Sequence, residues 1–345
     1  MKAAIPINNL YHMLCYAWDV LPQSNLVNVN LTGKEQPIEL LAHIINTGTQ
    51  HLLRRGIDKG YVNVEEVVTT LRGRVDFAYS GRRTLLHQGR ALCSFDELTA
   101  DILPNQILKA TLFRLSRLRG LNKSLQKESG GLLKKFDEVT QIPLGSSLFK
   151  RVNFHSNNRF YRFIINVCEL VYYESLLDER HGDFTFRDFY RDEGQMPKLY
   201  EKFIYHFYRK KQNEYRVSSE RIRWDATSDD DPGLSFLPSM LTDITLRSKQ
   251  RSLIIDAKYY RKTLSSFYGA KRIHSNNLYQ INAYLQNVKR NGGNDSEATG
   301  MLLYPVVSEH VAKTYTISGK RIRIETVDLA EDWRIIEARL LLLLH

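Results

Sequence analysis

The sequence predicts a mixed α/β (α+β) protein of two domains, the second with an αβββαβ order. Three observations carry the prediction. Apolar residues recur at helical spacing in the first half, two apolar runs flank a polar turn over 241–258, and helical patterns precede and follow that hairpin. A length of 345 residues suits two domains, and a hydrophobic content of 43% can bury an ordinary core.

In chain order, Leu10, Met13, Leu14, Ala17, Trp18 and Leu21 predict a helix over Asn9–Val20, with Asn8 or Asn9 as N-cap. Pro37 suits the first turn of a second helix that runs to about Arg55. Val62, Val64, Val67, Val68 and Val75 make 61–77 β-rich, and Thr84–Ser94 reads as another strand. Ile107, Leu108, Thr111, Leu112 and Leu115 share one side of a helix over Asn105–Leu118. Glu128–Gly131 and Pro143–Ser147 read as breaks, followed by a long helix over Asn157–Leu177. The polar segment Asp178–Pro197 reads as irregular and marks the boundary. Residues 1–155 then form the first domain, 156–197 a linking helix and loop, and 198–345 the second domain.

The second domain reads helix (Lys198–Lys211), strand (Tyr215–Trp224), strand (Leu237–Leu246), strand (Ser252–Lys258), helix (Asn276–Lys289), strand (Gly300–Val306). A hairpin over Thr314–Ile324 turns at Ser318-Gly319, and a helix over Glu331–Leu344 closes the chain. The acidic turn Ser228–Gly233 lacks the EF-hand spacing and reads as a solvated loop.

The hairpin holds the chemistry. With its turn centred between Lys249 and Gln250, Asp243 lies opposite Asp256, Ile244 opposite Ile255, and Leu246 opposite Leu253. Alternation puts Lys258 on the face of Asp256 and the apolar residues on the other. Like charges placed opposite each other destabilise a sheet unless a cation sits between them. Asp243 and Asp256, with the carbonyl of Ala257, therefore form a candidate site for Mg²⁺ (or Mn²⁺), and Lys258 a candidate to orient or deprotonate a water. Gln280 and Tyr284 stand at i and i+4 on one helix face, beside the site. The alternative is a solvated Asp243 and an exposed Asp256–Lys258 pair of little consequence. His274 reads either as a phosphate contact or as the start of the helix.

The net charge of +11 fits a polyanionic partner or mere solubility. Its clustering favours DNA: Arg114, Arg117 and Arg119; Lys134 and Lys135; Arg209, Lys210 and Lys211; Lys258, Arg261 and Lys262; Lys271 and Arg272. Arg261, Lys262, Lys271 and Arg272 bracket the acids and are the candidate DNA contacts. The three cysteines (Cys15, Cys93, Cys168) show no metal spacing, which argues for a reducing compartment. No signal peptide and no apolar run of bilayer length is present, so the expected location is the cytoplasm, without a membrane partner. No P-loop occurs, so GTP hydrolysis by this chain is not expected.

Asp243, Asp256-Ala257-Lys258 and Gln280-x-x-x-Tyr284 resemble the PD-(D/E)xK nuclease superfamily, with Thr242 where Pro often stands. Several further stretches resemble the McrC family. They are Ile5–Trp18, Gly73-Arg74-Val75-Asp76-Phe77, Phe95-Asp96-Glu97-Leu98 with Asp101, Asn105 with Ile107-Leu108-Lys109, His274–Gln280, and Leu303-Tyr304-Pro305.

That resemblance implies the endonuclease subunit of a modification-dependent restriction complex, cutting double-stranded DNA that carries modified bases with Mg²⁺. It implies an McrB-like AAA+ GTPase ring as partner and admits dimerisation through the nuclease domain. It implies a restriction-endonuclease-like second domain and a first domain that serves as a partner-binding stalk. Glu201 falls where many superfamily members place a supporting or ligand acid, and it could equally be a surface helical acid. Arg74 or Arg72, at a polar hairpin tip, are the candidates to stimulate the partner's GTPase; either could be an ordinary surface arginine or a phosphate contact. A regulatory stalk with weak or dispensable cleavage is the alternative function, and a nucleic-acid-binding module without cutting is a third.

Overall fold

Pro6, at φ −56° and ψ 142°, starts helix α1 (Ile7–Ala17). The helix begins ahead of the expected Asn9, and neither Asn8 nor Asn9 caps it. Asn9 is buried instead, and its Nδ2 donates to the carbonyls of Leu329 (2.9 Å) and Glu331 (2.8 Å). The computed structural model describes residues 5–18, 36–154, 158–178, 183–186, 195–260, 265–267, 270–289, 292–307 and 309–345. Val20 and Leu21, placed in or beside the first helix by the sequence, lie outside them, as does most of 178–197.

The chain divides into two units. One holds the described residues of 38–186 and the other those of 5–18, 36–37 and 195–345. This differs from the division by chain order expected at residues 155 and 198. Helix α1 belongs with the second half because it packs along α8, with Tyr16 against Phe203 and Phe207.

The unit of 38–186 contains α2 (Pro37–Arg55), β1 (Gly60–Val68), β2 (Arg74–Val75), α3 (Phe77–Arg82), β3 (Ala91–Thr99), α4 (Leu103–Ser116), β4 (Leu118–Arg119), α5 (Lys123–Leu133), α6 (Ser146–Arg151), α7 (Arg159–Glu174), β5 (Ser175–Asp178) and β6 (Asp183–Phe186). Strands β1, β3 and β2 form an antiparallel sheet in that order. Two expectations fail here. Thr84–Arg90 is not strand: Thr84 (φ 54°) and Gly89 (φ 67°) turn the chain, and β3 begins at Ala91. The run Glu128–Gly131 is not a break but part of α5. Tertiary contact overrides the glycine signal, since Asn46 and Gln50 of α2 donate to the Glu128 carboxylate at 3.1 and 2.7 Å. The buried Ser129 Oγ also lies 2.8 Å from Asn46 Oδ1.

The other unit contains α8 (Gln195–Lys211), β7 (Arg216–Ser218), β8 (Arg221–Ile222), β9 (Met240–Leu241), β10 (Ile244–Arg247), β11 (Ser252–Ala257), β12 (Ser265–Phe267), β13 (Ala270–Arg272), α9 (Ser275–Val288), β14 (Thr299–Pro305), β15 (Ala312–Ile317), β16 (Lys320–Val327) and α10 (Trp333–Leu342). A mixed six-stranded sheet runs β15-β16-β14-β11-β10-β7. β11 and β16 are parallel to β14, and the remaining neighbours are antiparallel. The expected long strands Tyr215–Trp224 and Leu237–Leu246 each split in two, because β8 and β9 leave the main sheet to pair with each other. The turn Ser318-Gly319 carries two positive φ values, 50° and 77°, which suits a tight hairpin between β15 and β16. Helix α9 crosses the sheet at Gly300, where a Cβ would stand 2.8 Å from Ile281 and 2.9 Å from Leu285.

Candidate active site

Strands β10 and β11 pair with Ile244 opposite Ile255 and Leu246 opposite Leu253, the register that a turn between Lys249 and Gln250 requires. The ladder ends at Ile244, so Asp243 stands just beyond the strand and not in a paired position facing Asp256. On its other edge β11 pairs with β14, Asp256 against Leu302. β11 is therefore interior, and Asp256 is 0% exposed. Asp256 shares a strand face with Ile254, which lies in one core cluster with Ile281, Tyr284 and Leu285 of α9.

Lys258 Nζ lies 2.8 Å from Asp256 Oδ1 and 3.2 Å from Asp243 Oδ2. Asp243 Oδ2 also accepts from the Ala257 N–H at 3.2 Å. The Lys258 ammonium is thus the charge that faces Asp256 Oδ1 directly. Both carboxylate oxygens of Asp256 are buried without a hydrogen-bond donor. A buried carboxylate in that condition is costly. Burial pushes the Asp256 carboxyl up to about 7, with Lys258 opposing and Asp243 adding to the rise. For Lys258, burial alone would lower the ammonium, but Asp256 and Asp243 outweigh it and hold it above the ordinary lysine value.

Helix α9 supports this group. Gln280 Nε2 donates to Tyr284 Oη at 2.7 Å, and Tyr284 Oη donates to the Leu241 carbonyl at 2.8 Å, just ahead of Asp243. The amide nitrogen of Gln280 is thus engaged by Tyr284. Glu201 on α8 is partly buried, and burial followed by the charge of Asp243 raises its carboxyl, against Lys258. Glu201 senses the site. Among the described residues, however, no three His, Cys, Asp or Glu side chains are placed to hold a metal ion together, so it does not complete a set with Asp243 and Asp256.

Sequence reasoning missed a polar chain beside the acids. Tyr260 Oη donates to Asn277 Oδ1 at 3.1 Å, and Asn277 Nδ2 donates to Tyr304 Oη at 2.9 Å. It joins the segment after Lys258 to α9 and β14. Asn277 and Tyr304 stood within noted motifs, but no periodicity links residues so far apart. His274 begins α9 without a side-chain cap and stacks 4.5 Å from Tyr260.

Of the expected DNA contacts, Arg261 and Lys262 lie outside the described residues, and Lys271 and Arg272 fall on β13, paired with β12. Other basic residues serve the fold. Arg114 Nη1 donates to the carbonyls of Tyr172 and Ser175 at the end of α7, and Lys211 pairs with Glu337 at 2.7 Å. In the unit of 38–186, Arg72 lies 3.6 Å over the Phe95 ring and pairs with Glu66 at 3.2 Å, whereas Arg74 is exposed without a partner among the described residues. Gly73 (φ 64°) joins them, and a Cβ there would meet the Ser94 carbonyl at 2.3 Å. Among the described residues, no helix is long and apolar enough to cross a membrane.

Residues 6–305 match the family described as McrBC 5-methylcytosine restriction system component. A curated relative, the type IV methyl-directed restriction enzyme EcoKMcrBC of Escherichia coli (strain K12), is 35% identical over 340 residues, which is 99% of this chain and 97% of the relative. Among solved structures, a chain of a half-complex from the tetradecameric assembly of Thermococcus gammatolerans McrB AAA+ hexamers with bound McrC aligns with a TM-score of 0.53. It is 18% identical, and the alignment covers 98% of this chain and 76% of that one. At that identity the likeness shows a shared fold.

Proposed function

The chain belongs to the family of McrBC restriction system components, and from that premise we propose that it is the DNA endonuclease subunit of a modification-dependent restriction complex. The observation that carries the proposal is the fully buried Asp256 carboxylate, set beside Asp243 and held, among the described residues, by the Lys258 ammonium alone. A structural ion pair has no use for such an arrangement, since its oxygens could have been hydrogen-bonded. A hard dication suits it: Mg²⁺ takes one or two carboxylates, keeps several waters and needs no third acidic side chain.

In this reading Asp243 and Asp256 hold Mg²⁺, or Mn²⁺ in its place, and the Ala257 carbonyl adds a third oxygen. When bound, the ion neutralises the scissile phosphate and acidifies a water. Lys258 would orient the attacking water and stabilise charge on the phosphoryl oxygens. Gln280 and Tyr284 hold the Leu241 backbone and with it the approach to Asp243. Glu201 acts as a neighbouring charge. The overall arrangement is that of a PD-(D/E)xK core.

The partner of this chain would be an McrB-like AAA+ GTPase ring, and its substrate double-stranded DNA with modified bases. The exposed, unengaged Arg74 is a better candidate than Arg72 to enter the partner's nucleotide site, where an added guanidinium stabilises phosphoryl-transfer charge. The test is cleavage of modified DNA by the full chain with partner, GTP and Mg²⁺. Asp256→Asn and Lys258→Ala should each lower the rate by at least about 100-fold, the loss typical of removing one charge-stabilising group. Undiminished cutting by either variant would overturn the site.

A further inference from the structure

We propose that the solvent face of the β8–β9 hairpin and its connecting loop is a DNA-gripping arm, in which Arg221 and Arg223 hold the phosphates of one strand and Phe236 wedges against its bases. The inference rests on the nuclease reading above and adds a contact region that none of the basic clusters read from the sequence contains.

β8 and β9 pair with Arg221 opposite Leu241 and Ile222 opposite Met240. Ile222 and Met240 are buried in the cluster that includes Ile281, Tyr284 and Leu285 of α9. Alternation sends Arg221 and Leu241 to the outward side, and Arg223, just past β8, is exposed as well. Neither arginine has an acidic partner among the described residues. The hairpin is tied to the chemistry, since the Leu241 carbonyl that accepts from Tyr284 lies two residues from Asp243.

Between the hairpin and its loop is an open cleft of about 490 Å³, lined by Arg221, Arg223, Trp224, Leu234, Leu237 and Pro238 among others, with no aspartate in the lining. The loop is built, not slack. Trp224 Nε1 donates to the Pro238 carbonyl at 2.7 Å, and the Asp231 carboxylate accepts from Ser235 Oγ and the Phe236 N–H, each at 3.0 Å. Asp231 shapes the loop while staying charged, and Asp225, Asp229 and Asp230 share the loop with it, so the arm's positive charge sits on the β8 side of the cleft. Phe236, held on that frame, is 93% exposed. An exposed aromatic ring on the loop and two exposed arginines at the cleft without an ion-pair partner among the described residues match the chemistry of a nucleic-acid strand: phosphates for the arginines, and base faces or steps for the ring.

The experiment measures the full chain on a fluorescent duplex in EDTA over a salt series. Each phosphate contact adds about 0.9 to the slope of log affinity against log salt. The double variant Arg221→Ala/Arg223→Ala should therefore lower the slope by about 1.8, and Arg221→Lys/Arg223→Lys should restore it. An unchanged slope, or a wild-type chain without affinity for the duplex, overturns the arm. Replacing Phe236 by photoreactive p-benzoylphenylalanine, in the complex with partner and GTP, should yield a DNA adduct. An adduct to the partner or to a second copy, or no adduct, overturns the wedge. Failure of the nuclease reading is separate: it is the absence of cutting by wild type with partner, GTP and Mg²⁺. Wild-type cutting, with the double variant unchanged in rate and slope, sinks the arm alone.

Discussion

At the scale of single residues, the site is held by one ammonium shared between two acids. Asp256 has no exposure and no hydrogen-bond donor, so Lys258 carries most of its compensation. Removing one partner of a buried ion pair costs about 3 kcal/mol or more. Lys258→Met should therefore lower the melting temperature measurably in EDTA. If the acids bind a dication, millimolar Mg²⁺ should recover most of that loss while cleavage stays absent. A melting temperature indifferent to Mg²⁺ would count against the metal site. That Asp256 and Lys258 share a strand face was legible from the period of two, but the expected pairing of Asp243 with Asp256 was not met, because the ladder ends at Ile244. Tyr260, Asn277 and Tyr304 were not legible, since they meet through tertiary packing of a strand end, a helix and a neighbouring strand.

Elements show where local signals fail. The double glycine in α5 reads as a break, yet the contacts of Glu128 and Ser129 with α2 hold the helix through it. Gly131 has no atom within 4 Å of where a Cβ would stand, and its φ is not positive. Gly131→Ala should thus stabilise the protein by about 0.5–1 kcal/mol through the unfolded chain, seen as a higher melting temperature. The opposite holds at Gly73, where φ is positive and the Ser94 carbonyl leaves no room. β8, β9 and the site loops were half legible: the apolar runs were seen, but the branch from the main sheet depends on the packing of Ile222 and Met240 under α9.

β10 is anchored at its far end by Arg247, whose Nη2 lies 2.7 Å from Glu220 Oε2 and whose Nη1 pairs with the buried Asp295. Hydrogen bonds from Arg247 hold the Glu220 carboxyl below its ordinary value of 4.5, against burial. A carboxyl lowered on folding gives stability that is complete above its unfolded pKa and lost as pH falls through the folded one. Wild type should lose stability on acidification below about pH 4.5. Arg247→Met should be less stable at neutral pH and flatter in that acid range, as urea midpoints against pH would report. Parallel acid limbs for the two proteins would rule out this role for Arg247.

The whole chain forms two units that do not follow its order. α1 lies in the unit that carries Asp243, Asp256 and Lys258, while Arg72 and Arg74 lie in the other. The opening motif serves the fold of the unit that carries the acids, through Asn9 and the aromatic packing of Tyr16. If cutting and partner stimulation reside in separate units, they should separate by mutation. Asp256→Asn should abolish cleavage and leave stimulation of the partner's GTPase intact. Arg74→Ala should lower stimulation on the order of 10³-fold if the arginine enters the nucleotide site, and Arg72→Ala much less, because Arg72 is already engaged by Phe95 and Glu66. Cleavage should fall with stimulation in Arg74→Ala if the cut depends on the motor. GTP turnover and DNA cleavage measured on the same three variants decide it. Equal stimulation by wild type and Arg74→Ala would discard the arginine, and loss of stimulation in Asp256→Asn would discard the division itself.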